Sequence, residues 1–448
     1  MRSSGTMDLT KGSVSKNFIA FVIPIMLTML LQHLYTVADR VVVGQFAENG
    51  KFALAAVGST SSLTSLFVNV FNGMAAGANV VCANKRGARD EKGLRLCMHS
   101  SMLLGVILGL SIGALGFVLC KPLLLLLDTP DDVLELATLY MRVYFLGVPA
   151  MSVYNFGANV LRAHGDTKRS MYILSLTGLL NVGLNLVFVI GCHMSVAGVA
   201  LATMIAQYVS MLWMLYILFS PKGVYKMRFK DLRLHGPSVS AVARVGIPAG
   251  LNGMVFTVSN LLLQSTLNTF GSTAIAGKTA AIDISTLVYQ GIGASYLACI
   301  SFSGQCYGAR NYKRIDQLLV RSVGICWVYV VSVAGLCTLF PSQLLGIFNS
   351  DPEVISAGKN LLLLNVWGYV LYTISELSLG CVRGMGRSAM PSLLNFAGIC
   401  IPRILWIFFV FPINRTITFL YWCYPISWTI SAALQLFYYL YTRKKVEK

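Results

Sequence analysis

Twelve apolar runs, each long enough to cross a lipid bilayer as a helix, divide this chain of 448 residues. A helical span needs about 20 apolar residues. Only helices and closed barrels satisfy their own backbone hydrogen bonds inside a bilayer, and these runs are too long and too apolar for barrel strands. The pattern therefore predicts an all-α integral membrane protein. The predicted spans cover residues 16–43, 52–82, 96–120, 133–161, 171–192, 196–219, 241–269, 273–303, 318–347, 354–381, 390–412 and 416–441.

The composition agrees with a membrane protein and argues against other classes. Only 12% of the residues are charged, whereas soluble proteins contain about 25%. The net charge of +18 does not indicate a nucleic-acid partner, because the largest polar segment, residues 220–244, is too short for a basic domain. The 11 cysteines and five histidines show no disulfide framework or metal-ligand spacing, and no catalytic or ATP-binding motif is found. We therefore expect neither an enzyme nor a bound cofactor.

The basic residues predict the orientation of the chain. Of 35 lysines and arginines, 27 lie in the N-terminal segment, in the loops after every second span and in the C-terminal tail. The opposite loops hold Lys51, Lys121 and Arg415. Short loops rich in Lys and Arg stay on the cytoplasmic side. Both termini are therefore predicted to be cytoplasmic, in a multi-pass protein of the plasma (inner) membrane whose basic loops face lipid headgroups.

The chain repeats itself at an offset of 221 residues, since Gly87-Ala88-Arg89 recurs as Gly308-Ala309-Arg310 and segment 161–165 recurs as 382–386. Each half carries six predicted spans, so the halves have the same topology and are parallel repeats about a pseudo-two-fold axis along the membrane normal. The sequence predicts two six-helix bundles, residues 1–219 and 241–448, joined by a cytoplasmic linker at 220–240. Transporters built from such repeats place their sites near the midplane of the membrane.

Asp39 is the first candidate for a functional site, because it lies in the second half of the first span. A carboxylate near the bilayer centre costs about 2.5–3.5 kcal/mol on insertion scales, so such a group usually faces a polar cavity or a partner. Adjacent residues of a helix point about 100° apart, which makes Arg40 a poor partner on the same helix. The alternatives are a salt bridge with Arg40 or a position of Asp39 nearer the membrane interface.

Four further polar residues of the first half fall inside predicted spans: Asn155, Asn181, Asn185 and Thr203. Asn181 and Asn185 are four residues apart and share one face of a helix. Together with Asp39 they offer the carboxylate, amide and hydroxyl oxygens that a hard cation binds. The same set would serve a proton site in which Asp39 titrates, and buried amides also join helices by hydrogen bonds. The sequence leaves these roles open.

The second half offers two acids within predicted spans, Glu376 and Asp283. Glu376 stands at the repeat position of Asn155, and both acids are candidates for a substrate or proton group. An interfacial ion pair with Arg383 is the alternative for Glu376. Lys278 lies five residues before Asp283, which is a poor pairing distance on a helix, and is expected to reach towards the membrane interface.

Five segments, taken together, make the chain resemble the multidrug and toxic compound extrusion (MATE) family over essentially its whole length. The similarity is to the DinF-like and gut-bacterial branches. It implies two six-helix bundles around a central cavity, and efflux of organic cations in exchange for Na+ or H+. The segments are LLQHLYTVADRVVVGQF (30–46), NVLRAHGDTKRS (159–170), NVGLNLVFVIGCHMSVAGVALATMIAQ (181–207), GQCYGAR (304–310) and VRGMGRSAMPS (382–392).

The resemblance also implies roles for individual residues. The cation-binding acid of the family's first helix falls on Asp39, and its partners fall on Asn155, Asn181 and Thr203. A second acid of the family falls on Asn185, which is an amide in this chain. Because one carboxylate replaces two, the resemblance implies a single Na+ or a single H+ per cycle, and no other metal.

The leading hypothesis is a secondary antiporter that exports amphipathic, cationic drugs or toxins by rocker-type alternating access. Its partners would be small organic molecules and membrane lipid, and one chain would be a complete unit. A flippase for lipid-linked glycans is the alternative within the same superfamily, but a strongly cationic cavity would favour it and the candidates here are mostly acids and amides. An intramembrane enzyme or a sensor would need a catalytic constellation or a signalling domain, neither of which the sequence indicates.

Overall fold

A computed structural model of the chain describes residues 6–46, 50–126, 129–221, 224–348 and 351–447. These residues form helices and connections, without a β-strand. The helices are α1 (Val14–Phe46), α2 (Gly50–Gly87), α3 (Glu91–Leu126), α4 (Asp131–Ala163), α5 (Lys168–Leu186), α6 (Ser195–Phe219), α7 (Gly236–Asn268), α8 (Ser272–Gly308), α9 (Tyr312–Leu339), α10 (Pro341–Gly346), α11 (Pro352–Gly384), α12 (Ala389–Asn395), α13 (Ile401–Leu405), α14 (Ile417–Tyr421) and α15 (Cys423–Glu447).

Ten helical segments of the described residues are long and apolar enough to cross a membrane. Two more helices, α8 with 37 residues and α15 with 25, have the length but are less apolar. An all-helical chain satisfies its backbone polar groups internally, as a bilayer requires. The predicted all-α membrane fold is confirmed.

Several predicted spans differ in detail from the observed helices, among them the twelfth, 416–441, which is divided into α14 and α15. The ninth, 318–347, is broken, because α9 ends at Leu339 and Pro341 begins the short helix α10. Proline fits the first turn of a helix but not its interior. The eleventh, 390–412, alternates between α-helix and two π-helical segments, Phe396–Cys400 and Trp406–Val410. A third π-helical segment, Val187–Gly191, continues α5. Such segments are frequent at functional sites.

The described chain forms two compact units. Unit 1 consists of Met1–Asp8 and Leu27–Gly250, and unit 2 consists of Leu9–Met26 and Leu251–Lys448. The first half of α1 therefore belongs to unit 2, whereas the predicted bundles assign all of α1 to the first half of the chain. The change of unit follows Pro24 in α1 and Pro248 in α7, where a proline interrupts the helical hydrogen bonds.

The core of unit 1 lies between α2, α3, α4 and α6. Met98, Phe156 and Met214 are among the buried side chains that α3, α4 and α6 contribute to one continuous cluster. This packing fixes α4 and α6, which carry the candidate residues Asn155 and Thr203.

The sequence repeat has a counterpart in the backbone of both units. α2 and α8 end at Gly87 and Gly308, and α4 and α11 end at Ala163 and Gly384. The residues that follow adopt the same left-handed conformations. Arg89 and Arg310 have φ of 56° and 55°, and Gly165 and Gly386 have φ of 81° and 85°. The repeated GAR and R-x-x-G segments therefore encode the same helix ends in both halves.

Gly165 is held against the N-terminal segment of the chain. Its carbonyl oxygen accepts a hydrogen bond from the backbone N–H of Met7 at 3.2 Å. A Cβ atom at Gly165 would lie 2.1 Å from the carbonyl oxygen of Met7. The close approach and the positive φ both require glycine here.

Gly165→Ala is expected to lower the melting temperature of the purified protein by several degrees, because it adds both a clash and a strained φ, worth about 1–3 kcal/mol. Gly183→Ala is the matched control, since a Cβ at Gly183 would meet nothing within 4 Å. Equal melting temperatures for the two variants would contradict the proposed constraint.

His164 lies in the same connection and is buried. Its Nδ1 atom lies 2.9 Å from the carbonyl oxygen of Val160, and its ring meets the Tyr225 ring edge-on at 5.1 Å. Tyr225 in turn donates a hydrogen bond to Asp166 at 2.9 Å. Burial, with repulsion from Arg86, lowers the pKa of His164 from 6.5 to about 4. The folded protein therefore keeps this imidazole neutral.

The stability of the protein should fall as the pH is lowered from about 6.5 to about 4. In that interval the unfolded chain takes up a proton at His164 that the folded chain does not accept. His164→Gln should flatten this part of a plot of melting temperature against pH. Identical slopes for the variant and the wild type would show that His164 is not responsible.

Candidate functional site

One face of α1 carries four polar residues into a cavity of unit 1. Gln32, Tyr35, Thr36 and Asp39 follow the spacing i, i+3, i+4, i+7, which places them on one side of a helix. All four line a cavity of about 410 Å³. The predicted exposure of Asp39 to a polar cavity therefore has a structural basis.

The other walls of the cavity come from α2, α4, α5 and α6 and mix hydroxyl, amide and aromatic groups. The apolar contribution includes Val57, Val68 and Met151. The polar and aromatic lining residues from these helices include Thr60, Thr64, Ser65, Tyr140, Tyr144, Thr177, Asn181, Thr203, Gln207 and Ser210. Concave sites with a mixed apolar and polar lining are typical of small-molecule binding.

The contact between α1 and α5 positions Asp39. The ring of Tyr35 lies directly against Gly178, where an added Cβ would come within 1.8 Å of the ring. The Tyr35 hydroxyl donates a hydrogen bond to the carbonyl oxygen of Ser175 at 3.1 Å. One turn further along α1, Asp39 meets Asn185 of the same helix α5.

Four of the predicted site residues form one hydrogen-bonded chain. The amide nitrogen of Asn185 donates to Asp39 Oδ1 at 2.5 Å and lies 3.5 Å from Asn181 Oδ1. The amide nitrogen of Asn181 donates to Thr203 Oγ1 at 3.3 Å. Asn181 and Asn185 are buried, whereas Asp39 and Thr203 are half-buried at the cavity. The structure thus brings together Asp39, Asn181, Asn185 and Thr203.

This arrangement suits a hard monovalent cation. Asn185 Oδ1 is buried and has no hydrogen-bond partner, and Asp39, Asn181 and Thr203 supply further oxygens in the same chain. Hard cations bind carboxylate, carbonyl and hydroxyl oxygens. An amide can also turn its oxygen or its nitrogen towards a neighbour. The four residues therefore have the chemistry that a Na+ ion or a proton on Asp39 requires.

The remaining first-half candidate, Asn155, makes a local contact. Its amide donates a hydrogen bond to the carbonyl oxygen of Met151 in the same helix at 2.8 Å. Met151 lines the cavity, whereas Asn155 is not among the described lining residues.

The Arg40 side chain, considered as an alternative partner for Asp39, lies outside the described part of the structure.

The second-half candidates lie in unit 2. Glu376 is half-buried and accepts a hydrogen bond from the Tyr372 hydroxyl at 2.8 Å. Asp283 is half-buried on α8. Lys278 was expected near the interface, but it is buried and donates to Gln264 Oε1 at 2.5 Å.

Sequence reasoning missed most of the cavity wall. The i, i+3, i+4, i+7 spacing of Gln32, Tyr35, Thr36 and Asp39 is a signal that would have found the α1 face. Thr60, Thr64 and Ser65 stand in a run rich in Ser and Thr within an otherwise apolar helix, which is a second such signal. The tyrosines of α4 carry no comparable signal, because aromatic residues are common in any membrane helix.

Comparison with known proteins gives a family and a fold. The model of the MatE family matches residues 24–187 and 248–408. The probable multidrug resistance protein YpnP of Bacillus subtilis is 28% identical over 88% of each chain, and YoeA of the same organism is 24% identical over 98% of this chain and 96% of YoeA. The solved structure of a MOP superfamily transporter from Pyrococcus furiosus has the same fold, with a TM-score of 0.92 over 98% of each chain at 23% identity.

Asn185→Asp should lower the stability of the folded protein at alkaline pH and have little effect on it at acidic pH. The variant puts a second carboxylate within hydrogen-bond distance of Asp39, and two such groups avoid being charged together. The melting temperature relative to wild type should therefore rise as the pH falls.

Asn185→Ala is the matched control for this substitution. It removes the same amide without adding a charge, so its melting temperature should depend on pH less strongly than that of Asn185→Asp, which adds charge repulsion to the loss of the amide. If both variants show the same pH profile, Asn185 does not lie beside an ionised Asp39.

Proposed function

Because this chain belongs to the MATE family of multidrug efflux transporters, we propose that it is a secondary antiporter that exports amphipathic organic cations in exchange for Na+ or H+. The observation that supports the proposal most strongly is the position of Asp39, whose carboxylate lines a cavity of unit 1 and accepts a hydrogen bond from Asn185. An intramembrane acid facing a cavity marks an ion or substrate pathway by default.

The lining of the cavity supports a cationic, amphipathic substrate. Tyr35, Tyr140 and Tyr144 present aromatic rings, which attract organic cations through their π faces. Asp39 adds a negative charge. A flippase for lipid-linked glycans would need basic groups to hold a pyrophosphate, and the described lining residues are neutral apart from Asp39. The cavity therefore favours the export of cations over the flipping of anionic lipids.

Asp39 couples the two transported species in this proposal. Ionised Asp39 accepts the hydrogen bond of Asn185 and attracts a cationic substrate. When Na+ binds or a proton is added, its charge is neutralised and Asn185 can turn its carbonyl oxygen towards the cation or the proton. Substrate and coupling ion then compete for one charge, and each weakens the binding of the other by the same factor.

The single carboxylate sets the stoichiometry. With Asn185 in place of a second acid, one Na+ or one H+ neutralises the site. Asn181 and Thr203 supply oxygens beside it. Na+ binding would use these oxygens directly, whereas a proton would need only Asp39.

The wider setting belongs to the same proposal. One chain contains a complete cavity and Asp39 site, so we propose that a monomer is the transport unit. We place the protein in the plasma (inner) membrane with both termini in the cytoplasm, since 27 of its 35 basic residues lie on the predicted cytoplasmic side. Alternating access then carries the substrate out of the cell.

The test is the efflux of a fluorescent cationic dye from proteoliposomes, with a Na+ gradient and a pH gradient imposed separately. We expect one gradient to drive efflux by the wild type and Asp39→Asn to lose at least tenfold in rate, because the variant has no charge to exchange. The effective gradient identifies the coupling ion.

Glu376→Gln and Asp283→Asn are the controls, since both remove an acid from unit 2 and leave the unit 1 cavity intact. They should keep gradient-driven efflux. If Asp39→Asn exports the dye as fast as wild type while Glu376→Gln does not, the coupling site lies in unit 2 and the assignment to Asp39 is wrong.

A further inference from the structure

Arg403 and Lys278 are buried cations of unit 2 whose hydrogen-bond acceptors are neutral. Arg403 is 1% exposed and Lys278 is 7% exposed. Arg403 donates from Nε to Ser427 Oγ at 3.2 Å and from Nη1 to Asn260 Oδ1 at 3.0 Å, and Lys278 donates to Gln264. All three acceptors are neutral. The ion pairs found among the described residues involve Lys85, Lys121, Arg169 and Arg443, and neither Arg403 nor Lys278 takes part in one.

A buried charge without a counter-charge is unfavourable, because no opposite charge offsets the free-energy cost of its desolvation. For Arg403, two aromatic rings offset part of this cost. Its guanidinium carbon lies 4.8 Å from the centre of the Tyr424 ring and 5.5 Å from that of the Phe256 ring. Cation–π contacts are weaker than a full ion pair in a desolvated site. The charge of Arg403 therefore remains only partly compensated.

Three buried donors near Tyr424 have no hydrogen-bond partner. They are Arg403 Nη2, Tyr421 Oη and Trp428 Nε1. The Trp428 ring lies 5.6 Å from the Tyr424 ring, and Tyr421 precedes Tyr424 by three residues. All three side chains are buried. Buried donors are almost always satisfied in native proteins, so three of them near one tyrosine point to a bound acceptor.

We propose that these groups, which we name the Arg403 cluster (Arg403, Tyr421, Tyr424 and Trp428), bind a small monovalent anion such as chloride. The cluster offers a positive charge together with O–H and N–H donors, which is the environment that a halide needs. Cys423 lies between Tyr421 and Tyr424 and interacts electrostatically with both Arg403 and Lys278. The second buried cation therefore adds positive charge to the same region.

Arg383, another buried cation of unit 2 that forms no ion pair among the described residues, shows the contrast. Arg383 is also buried, but its guanidinium donates to the hydroxyls of Tyr296, Ser388 and Ser392. Every nitrogen of that guanidinium has an acceptor within the protein. A buried cation in this unit can thus be satisfied by the chain itself, and Arg403 is not.

The first test is the melting temperature of the purified protein as chloride replaces gluconate at constant ionic strength and constant Na+. A ligand that binds the folded state raises the melting temperature with a saturable dependence on its concentration. We expect chloride and bromide to stabilise the wild type in this way. A response that does not saturate, or one that gluconate reproduces, would overturn the proposal.

The second test locates the ion. Crystals grown in bromide should show an anomalous scattering peak within hydrogen-bond distance of Arg403 Nη2. An ordered water at that position without an anomalous peak would show that water alone satisfies the cluster, and would overturn the proposal.

Variants separate an anion site from a structural role. Arg403→Gln removes the anchoring charge and should abolish the chloride response. Tyr421→Phe removes one donor and keeps the ring, so it should fold and bind chloride about tenfold more weakly, as loss of a hydrogen bond to a charged group predicts. Unchanged chloride affinity in folded Tyr421→Phe would contradict the assignment of that hydroxyl and of the cluster.

Tyr439→Phe is the matched control for Tyr421→Phe. Its hydroxyl donates to Asp316 at 2.6 Å, also in unit 2 but in a different contact. The control should lower the melting temperature and leave the chloride dependence unchanged. These readouts measure binding in the absence of any transport, so their outcome is independent of the efflux proposed above.

Discussion

The hydrogen bond from Asn185 to Asp39 is the interaction on which the candidate site depends, because it stabilises a carboxylate among membrane-spanning helices. Such a group is costly without a partner. The bond forms because Tyr35 packs into the space left by Gly178 and so fixes the distance between α1 and α5. A larger residue at Gly178 would separate the helices and with them the two polar groups. Packing of apolar and aromatic groups therefore determines the electrostatics of the cavity.

The helices and their ends were largely predictable from the sequence, for a physical reason. A bilayer requires long apolar helices, and the repeated segments at Gly87 and Gly308 mark the same helix end twice. Pro341 breaks the ninth predicted span, although its place at the start of α10 follows the known preference of proline. The helices α8 and α15 are less apolar than the other spans because they contain more polar residues. A hydropathy profile cannot show that some of these polar residues contact buried groups.

The candidate site was predictable only in part. Asp39, Asn181, Asn185 and Thr203 do form one hydrogen-bonded chain, since intramembrane polar groups seek one another. Asn155 donates to its own helix, which no spacing rule distinguishes from a donation across the cavity. The burial of Lys278 and Arg403 is also a tertiary property. The sequence shows that a basic residue lies in an apolar run, but only the tertiary structure shows whether its charged group contacts an acid, an aromatic ring or a hydroxyl.

The two halves of the chain have kept a common backbone and have diverged in their buried charge. The left-handed residues Arg89 and Arg310 coincide at the 221-residue offset, as do Gly165 and Gly386. At the same offset Asn181 corresponds to Pro402, Val182 to Arg403 and Asn185 to Trp406. The second half therefore cannot rebuild the amide chain that supports Asp39, and it places a cation where the first half has an apolar residue. Because helix ends depend on backbone conformation and buried charge depends on side chains, a duplicated scaffold can conserve the first while its two copies bury charges of opposite sign.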